Sequence, residues 1–469
     1  MNVSDSFKRY TEKVCEQIRW KKAHGVVAQE IENHLIDQKA AYMDMGDSES
    51  TAEEKALLQM GDPVAVGAAL DSTHKPAPQW GMMGLVMVLF AIGACIQFHF
   101  LTDILDEGYR NSAYSVPLTA ALFLFCFAAF IVAYFLDFSF FGKHPYLLPV
   151  TLLVLDILAQ MIGATINGTY MWLCLGPFSI SPISITILFP FAFCGIMYHM
   201  RSKGKHGYLL SGVIAAAFCL VLLTFHSSGG ILLFLFSAGI LMITAAKKGW
   251  FGENVKPILL FFLIAGIIGM VVLLYALPYR YRLERLVYIM HPEIDPTGAG
   301  YIPSLLQGML ENSVFLGKGA SFLEWDVLKA VMPTMYRSDY ILTFITYQYG
   351  WAVTITILLL LIAFLVFGFR KCFRQKSVLG QMVSLCILCT FTAEILLYVL
   401  VNLGYTIVAP IALPFLSYGT TALSLNMFLA GVLLSTFRTG EVYQDKTSPV
   451  FHESKFIQWD DGKLIISFK

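Results

Sequence analysis

The chain has 469 residues, of which 57% are hydrophobic and 14% are charged, whereas soluble domains average roughly 45–50% and about 25%. Lys plus Arg and Asp plus Glu number 32 each, and this balance excludes a strongly basic nucleic-acid binder and a highly charged disordered chain. The apolar residues form blocks of about twenty, long enough to cross a bilayer core of roughly 30 Å as helices. The composition therefore predicts an all-α, polytopic membrane protein.

The first 78 residues are polar and predict a small helical domain. Apolar residues recur at helical spacing between Phe7 and Leu35. Ser50–Glu53 has the capping-box pattern that opens a third helix, and Gly61-Asp62-Pro63 closes that helix. Residues 75–78, Lys-Pro-Ala-Pro, indicate a linker between this domain and the apolar part of the chain.

About ten apolar stretches follow, and each predicts a transmembrane helix. The eighth is longer than one crossing requires and predicts a tilted or extended span. Between the seventh and eighth lies a large loop, residues 278–339, and loops of this length in a compact protein are usually functional or disordered. The approximate bounds of the spans are 81–101, 115–136, 146–165, 182–200, 208–225, 229–246, 257–277, 340–369, 381–405 and 412–436.

Basic residues distinguish the two sides of the predicted membrane domain, 79–440. Short loops on the opposite side from the N-terminal domain hold Arg110 alone. The positive-inside rule therefore places domain 1–78 and the C-terminal tail, 441–469, in the cytoplasm, and the 278–339 loop outside. The loops on the cytoplasmic side carry Lys143, Arg201, Lys203, Lys205, Lys247, Lys248, Lys256, Arg370, Lys371, Arg374 and Lys376.

The 278–339 loop contains cationic side chains that suit an anionic ligand. Arg280, Arg282 and Arg285 can hold phosphate oxygens through pairs of hydrogen bonds. The alternative is a solvated helix end that touches lipid headgroups, and both interpretations stay open. Lys318 lies between two glycines without the spacing of a nucleotide-binding loop. No metal site is predicted, and no cofactor is identified from the sequence.

Asp339 stands where this loop re-enters the membrane. An acid at the start of a helix is by default an N-cap, worth about 1 kcal/mol, but a carboxylate at a membrane rim can also act as a general base. The clearest ionisable residues inside the spans are Asp156 and Glu394, with His226 near the end of one span. Such residues are functional candidates, but they do not form the ladder of acids typical of a proton pump.

Four stretches resemble segments of a single known family. That family is SEDS (shape, elongation, division and sporulation), of the RodA, FtsW and SpoVE type, and the resemblance covers about residues 80–440. The stretches are Asn167-Gly168 with Trp172–Phe178 and Pro182; Asp295-Pro296 and Gly300-Tyr301 with Phe315–Gly319; Ser338–Ile341 with Tyr349-Gly350; and Pro414–Gly419 with Asn426-Met427.

The resemblance implies a peptidoglycan glycosyltransferase of the bacterial plasma membrane, which polymerises lipid II outside the cell in cell shape, division or sporulation. It implies lipid II, an undecaprenyl-linked disaccharide-peptide, as substrate and a class B penicillin-binding protein as partner, besides the membrane lipids. Asp339 matches the family's essential acid, which would take the proton from the acceptor hydroxyl. The expected substrate-binding residues are Trp172, Arg280, Arg282, Arg285, Lys318, Ser417 and Tyr418.

Several charged positions of the family are neutral in this sequence. The family's Arg-Arg-Trp corresponds to Tyr170-Met171-Trp172, and its Gln-Pro-Ser-Glu corresponds to Ser181–Ser184, with Ile187 at the position of a lysine. Two alternatives stay open. One is a non-catalytic SEDS-like scaffold that recruits a penicillin-binding protein, and the other, which the many predicted spans permit, is a transporter of lipid-linked precursors.

Overall fold

Helices make up most of the chain, as the composition predicts. The computed structural model describes residues 4–74, 76, 78–104, 116–166, 169–175, 178–224, 227–252, 255–276, 287–288, 290–295, 297–320, 335–406, 408, 411–440, 457–460 and 463–466.

The N-terminal part of the chain forms four helices around an apolar cluster of their own. The cluster contains Phe7, Val14, Val27 and Leu35, all buried. The helical periodicity between Phe7 and Leu35 is therefore confirmed, because the spaced apolar residues lie on the faces that pack together. The helices are α1 (Asp5–Glu16), α2 (His24–Asp44), α3 (Glu49–Met60) and α4 (Pro63–His74), of which α4 was not predicted.

Serine side chains directly before α1 and α3 cap the N-terminal ends of these helices. Ser48 is the N-cap of α3, since its Oγ accepts a hydrogen bond from the backbone N–H of Thr51. The predicted capping box at Ser50–Glu53 is therefore wrong, because α3 begins before Ser50. Glu53 instead accepts a 2.7 Å hydrogen bond from Ser4, the N-cap of α1. Gly61 ends α3 as predicted.

The membrane part of the chain contains twelve longer helices among its described residues. In order they are α5 (Trp80–His99), α6 (Val116–Phe135), α7 (Leu147–Ile162), α8 (Phe189–Met200), α9 (Gly204–Thr224), α10 (Ser228–Lys247), α11 (Lys256–Ala276), α12 (Tyr301–Glu311), α13 (Ile341–Tyr349), α14 (Trp351–Arg374), α15 (Val378–Asn402) and α16 (Thr420–Thr439). Short helices cover Ser139–Lys143, Pro182–Ile185 and Met335–Ser338.

Length and apolar composition confirm a multi-pass membrane protein. Within the described residues, seven helical stretches are long and apolar enough to cross a membrane. One of them, Pro182–Thr224, is 43 residues long and contains two of the predicted spans. Leu147–Ile162, and the part of α11 from Lys256 to Gly266, are apolar but shorter. The number of ten crossings therefore stays a prediction.

The predicted eighth span is divided at Gly350. This residue has φ +93°, and a Cβ placed on it would lie 2.7 Å from the carbonyl oxygen of Phe315. Only glycine tolerates both the left-handed backbone and this close approach. The single overlong span at 340–369 is therefore wrong, because a buried helix, α13, precedes the membrane helix α14.

Two small antiparallel sheets add to the helical fold, and neither was predicted. Strands β1 (Ala164–Ile166), β2 (Thr169–Leu175) and β3 (Phe178–Ile180) form a meander directly after α7. In the tail, β4 (Ile457–Asp460) pairs with β5 (Lys463–Ile466). The meander occupies the end of the third predicted span, so that helix stops at Ile162 rather than near residue 165.

The helix α15 lies at the centre of the membrane bundle. It is buried along most of its length, and α8, α10, α14 and α16 pack against it. α16 packs closely on α6 as well. The C-terminal end of α15 therefore provides a buried and rigid surface on which other segments can be positioned.

Candidate functional site

Asp339 lies between the short helix Met335–Ser338 and α13, outside the helices that cross the membrane. Its side chain is half-buried, and the hydroxyl of Ser338 donates a 2.9 Å hydrogen bond to Oδ1. Burial raises the pKa of the Asp339 carboxyl to about 6, against a smaller lowering by that hydrogen bond. At neutral pH the group is therefore mostly ionised, yet basic enough to accept a proton.

Asp339 does not cap α13. The N-cap residue of this helix is Tyr340, and no side chain of the cap residue bonds to the helix. The backbone N–H of Ile341 donates instead to the hydroxyl of Tyr398 at 2.9 Å, and the N–H of Thr343 donates to Oδ1 of Asn402 at 3.1 Å. The N-cap interpretation of Asp339 is therefore wrong, because α15 already satisfies these donors of α13.

The backbone next to Asp339 is held by side chains from two directions. The carbonyl oxygen of Ser338 accepts hydrogen bonds from the Tyr398 hydroxyl at 2.8 Å and from the Ser417 hydroxyl at 2.9 Å. Asn402 donates from Nδ2 to the carbonyl oxygen of Asp339 at 3.1 Å. A carbonyl oxygen has two lone pairs, so both acceptor positions of Ser338 are used and the peptide that carries Asp339 is fixed.

Arg337 connects the backbone next to Asp339 to two further helices. Only 2% of the surface of Arg337 is exposed. Its Nε donates to Oε1 of Gln97 on α5 at 3.0 Å, and Nη2 lies 3.4 Å from Oγ1 of Thr119 on α6. The guanidinium also stacks 3.9 Å from the ring centre of Tyr418. In return, Gln97 and the backbone N–H of Tyr418 donate to the Arg337 carbonyl oxygen. Buried cation–π and charged hydrogen bonds are among the stronger polar contacts.

The segment that supplies Ser417 and Tyr418 has an unusual backbone. Phe415 has φ +70°, a conformation that destabilises a non-glycine residue by roughly 1–2 kcal/mol. Its ring packs against Phe364 and Phe391, with centroids 5.5 and 5.6 Å away. Gly93 of α5 lies so close that a Cβ would stand 2.5 Å from the Phe415 carbonyl oxygen. Tight packing therefore maintains the turn that directs Ser417 and Tyr418 toward the Asp339 peptide.

Of the remaining predicted site residues, the structure describes the side chain of Lys318, which does not lie beside Asp339. Lys318 is exposed, and the adjacent Gly319 N–H bonds to the carbonyl oxygen of Tyr347. Lys318 therefore lies near the C-terminal end of α13, about 12 Å along that helix from Asp339. Arg280, Arg282, Arg285 and His226 lie outside the described residues, as does the side chain of Trp172, whose backbone is in β2.

Four further residues, which were not predicted as site residues, position the peptide of Asp339. They are Gln97, Arg337, Tyr398 and Asn402. A signal was present for two of them, since Tyr398 and Asn402 are polar, lie one turn apart in an apolar span and therefore share a helix face. Of the ionisable residues noted inside the spans, Asp156 accepts a hydrogen bond from Thr224 at 2.9 Å. Glu394 is buried one turn before Tyr398.

These contacts give Asp339 properties that a general base needs. The carboxylate is basic, half-buried and attached to a backbone that hydrogen bonds fix on two sides. Among the described residues, no group of three or more His, Cys, Asp or Glu side chains could hold a metal ion. A fixed carboxylate with a pKa near 6 suits the removal of a proton from a hydroxyl group as that hydroxyl attacks an electrophile.

Several bacterial proteins resemble this chain along most of its length. A probable peptidoglycan glycosyltransferase FtsW from Pseudoalteromonas translucida is 27% identical over 394 residues, which cover 80% of this chain and 94% of that protein. Stage V sporulation protein E from Bacillus subtilis is 24% identical over 379 residues, which cover 78% of this chain and 99% of that protein.

Solved structures share the fold at lower sequence identity. A structure described as a peptidoglycan synthase complex that coordinates polymerization and crosslinking matches with a TM-score of 0.59 and 19% identity, over 78% of this chain and 99% of the other. The rod shape determining protein RodA of Thermus thermophilus matches with a TM-score of 0.51 and 18% identity, over 78% and 98%. The family model described as "Cell cycle protein", built on FtsW, RodA and SpoVE, matches residues 79–440. The chain therefore belongs to the FtsW, RodA and SpoVE family of cell cycle proteins.

Proposed function

We propose that this membrane protein is a peptidoglycan glycosyltransferase, which polymerises lipid II into glycan strands in cell shape, division or sporulation. The observation that carries the proposal is the Asp339 carboxylate, whose raised pKa and fixed backbone suit a general base. The names of the relatives, a peptidoglycan glycosyltransferase and a sporulation protein, support the same activity.

In the proposed reaction, Asp339 accepts the proton of an acceptor sugar hydroxyl while the hydroxyl oxygen attacks the anomeric carbon of a donor lipid II. The new glycosidic C–O bond forms as the bond to the pyrophosphate breaks, and polyprenyl pyrophosphate leaves with the electron pair. Arg280, Arg282 and Arg285 are proposed to stabilise the charge of that leaving group. Trp172 and Lys318 remain proposed substrate contacts.

Ser417 and Tyr418 receive a more specific role in this proposal. Ser417 donates to the carbonyl oxygen of Ser338, and Tyr418 stacks on Arg337. Both contacts act on the peptide next to Asp339, so we assign both residues to positioning of the base rather than to direct binding of the substrate.

We further propose a topology and a partner. Domain 1–78 and the tail 441–469 would lie in the cytoplasm and the 278–339 loop outside, since basic residues gather at one side of the predicted spans. The partner would be a class B penicillin-binding protein. The likeness of the fold to a synthase complex that joins polymerization and crosslinking supports this choice.

Purified protein, with and without a co-expressed penicillin-binding protein, would be incubated with labelled lipid II, and the products would be separated by size. We expect glycan polymer. Absence of polymer with every such partner would favour the scaffold, and movement of lipid II across proteoliposomes without polymer would favour the transporter. Both of these results would contradict the proposal.

A further inference from the structure

Two apolar side chains are exposed at the tip of a loop that the proposed reaction does not use. Phe315 and Leu316 are each 73% exposed, although they follow the well-packed helix α12. In an aqueous loop, adjacent exposed apolar side chains of this size would be unfavourable. Their surroundings therefore require an explanation, and we refer to them below as the 315–316 tip.

The tip is attached firmly to the start of a membrane helix. The backbone N–H groups of Trp351 and Ala352 donate to the carbonyl oxygens of Val314 at 3.1 Å and Phe315 at 2.9 Å. These donors belong to the first turn of α14, where N–H groups have no partner within the helix. The tip thus stands at the same depth in the membrane as the N-terminal end of α14.

The length of α14 places that end at a membrane boundary. Its other end carries Arg370, Lys371 and Arg374, which remain at the headgroups because a charge in the hydrocarbon is unfavourable. The apolar stretch from Trp351 to Phe369 has about nineteen residues and rises about 28 Å, close to the thickness of the hydrocarbon core. Trp351 therefore lies at the opposite boundary, and the tip lies there with it.

The exposed face of α14 has the character of a lipid-facing surface. Its exposed residues Ile355, Leu359, Ile362 and Val366 are apolar and spaced at helical intervals. Trp351 precedes Ile355 by one turn, so it lies at the end of the same face, and tryptophan is enriched at membrane interfaces. The tip is bonded to the end of a helix that faces lipid.

We infer that the 315–316 tip is a lipid anchor, in which Phe315 and Leu316 insert into the interfacial layer of the bilayer beside the start of α14. The anchor holds the loop at a fixed depth and stabilises the bend at Gly350. Because α13 links that bend to Asp339, the anchor also sets the depth of the proposed base relative to the lipid.

A photoreactive residue tests the anchor directly. p-Benzoylphenylalanine would replace Phe315 or Leu316 in the full-length protein, and adducts formed in the membranes of the producing cells would be identified by mass spectrometry. Leu359 serves as the positive control. Leu58 is the matched negative control, because it is 74% exposed but lies on α3 in the N-terminal part of the chain.

We expect phospholipid adducts at 315, 316 and 359 and none at 58. Absence of lipid adducts at both tip positions, while position 359 reacts with lipid, would overturn the inference. Adducts of the tip with another polypeptide in place of lipid would also overturn it, since the exposed side chains would then be part of a protein interface.

Discussion

The N-terminal helices and α13 satisfy the same structural requirement in different ways. Ser4, Ser48 and Asp62 cap α1, α3 and α4 from positions directly before each helix. The N–H groups of α13 bond instead to Tyr398 and Asn402, which lie 57 and 59 residues from their partners. Local caps stabilise a helix by itself, whereas distant caps fix where a helix lies. The difference leaves Asp339 free of a capping role and available for chemistry.

The substitution Asp339→Asn separates these roles with the largest expected effect. Since α15 caps α13 and burial disfavours the Asp339 carboxylate, we expect the free energy of unfolding to be unchanged or higher at neutral pH. Polymerisation of lipid II should fall by roughly 10²–10⁴-fold, because an amide cannot accept the proton. Thermal unfolding and a polymerisation assay on the same preparation would measure both.

Asp62→Asn is the matched control, since Asp62 caps α4 with a 3.1 Å hydrogen bond to the N–H of Ala65. Asn caps about as well as Asp, so neither stability nor polymerisation should change. Wild-type polymerisation by a stable Asp339→Asn protein would rule out the general base and favour the scaffold.

Arg337→Lys tests how strongly distant contacts position the Asp339 peptide. The lysine keeps the charge but loses the Nε hydrogen bond to Gln97 and the stacking on Tyr418. We expect a loss of about 3 kcal/mol in the free energy of unfolding. If Arg337 positions the base, kcat should fall more than KM rises in the protein that remains folded.

The same substitution at Arg19, between α1 and α2, provides the comparison. Arg19 bonds to Asp71 at 2.7 Å, but its side chain is 83% exposed, and exposed ion pairs contribute little to stability because water screens them. Arg19→Lys should therefore have a much smaller effect on stability. Equal losses in the free energy of unfolding from the two substitutions would mean that the buried contacts of Arg337 contribute no more to stability than an exposed ion pair.

Asn402→Ala removes a distant cap, and Ser48→Ala removes a local one. The first leaves the buried N–H of Thr343 without its acceptor, which should cost about 2 kcal/mol, whereas an exposed serine cap is worth about 1 kcal/mol. Chemical denaturation of both variants would measure the difference. A smaller loss for Asn402→Ala than for Ser48→Ala would contradict the proposed contribution of α15 to the position of α13.

The dependence of the polymerisation rate on pH is the smallest effect on activity that we expect. Burial raises the pKa of Asp339 to about 6, and the proposed base works only when ionised. Polymerisation should therefore rise with pH, by about tenfold between pH 5 and pH 7, with its midpoint near 6. Initial rates of polymerisation would be measured across this range. A flat profile between pH 5 and pH 7 would argue against Asp339 as the base.

The pKa of Glu53 in α3 is lowered, whereas that of Asp339 is raised. The hydrogen bond from Ser4 lowers its pKa below the ordinary value, so its contribution to stability is present at neutral pH and is lost as pH falls through its folded-state pKa. Acidification should therefore weaken the contact between α1 and α3 under conditions that also protonate Asp339. Ser4→Ala should remove most of this acid sensitivity.

The sequence by itself determined the class of the protein and much of its helix pattern. Apolar blocks of about twenty residues, and apolar residues at helical spacing, are local patterns whose meaning depends on little outside them. The same is true of Gly61, which ends α3. Asp339 could be named from its place at the membrane rim and from the family resemblance, but its role as cap or base could not be decided.

Only the tertiary structure decided the division of the eighth span and the support of Asp339. Gly350 lies in an apolar stretch whose pattern predicts one continuous helix. Its φ of +93° and the close approach of the Phe315 carbonyl oxygen, which both require glycine, are visible only in the folded protein. Arg337 and Gln97 are separated by 240 residues and meet in the buried bundle. Such contacts depend on how helices distant in the chain pack, because burial of a polar group is stable only where a partner lies beside it.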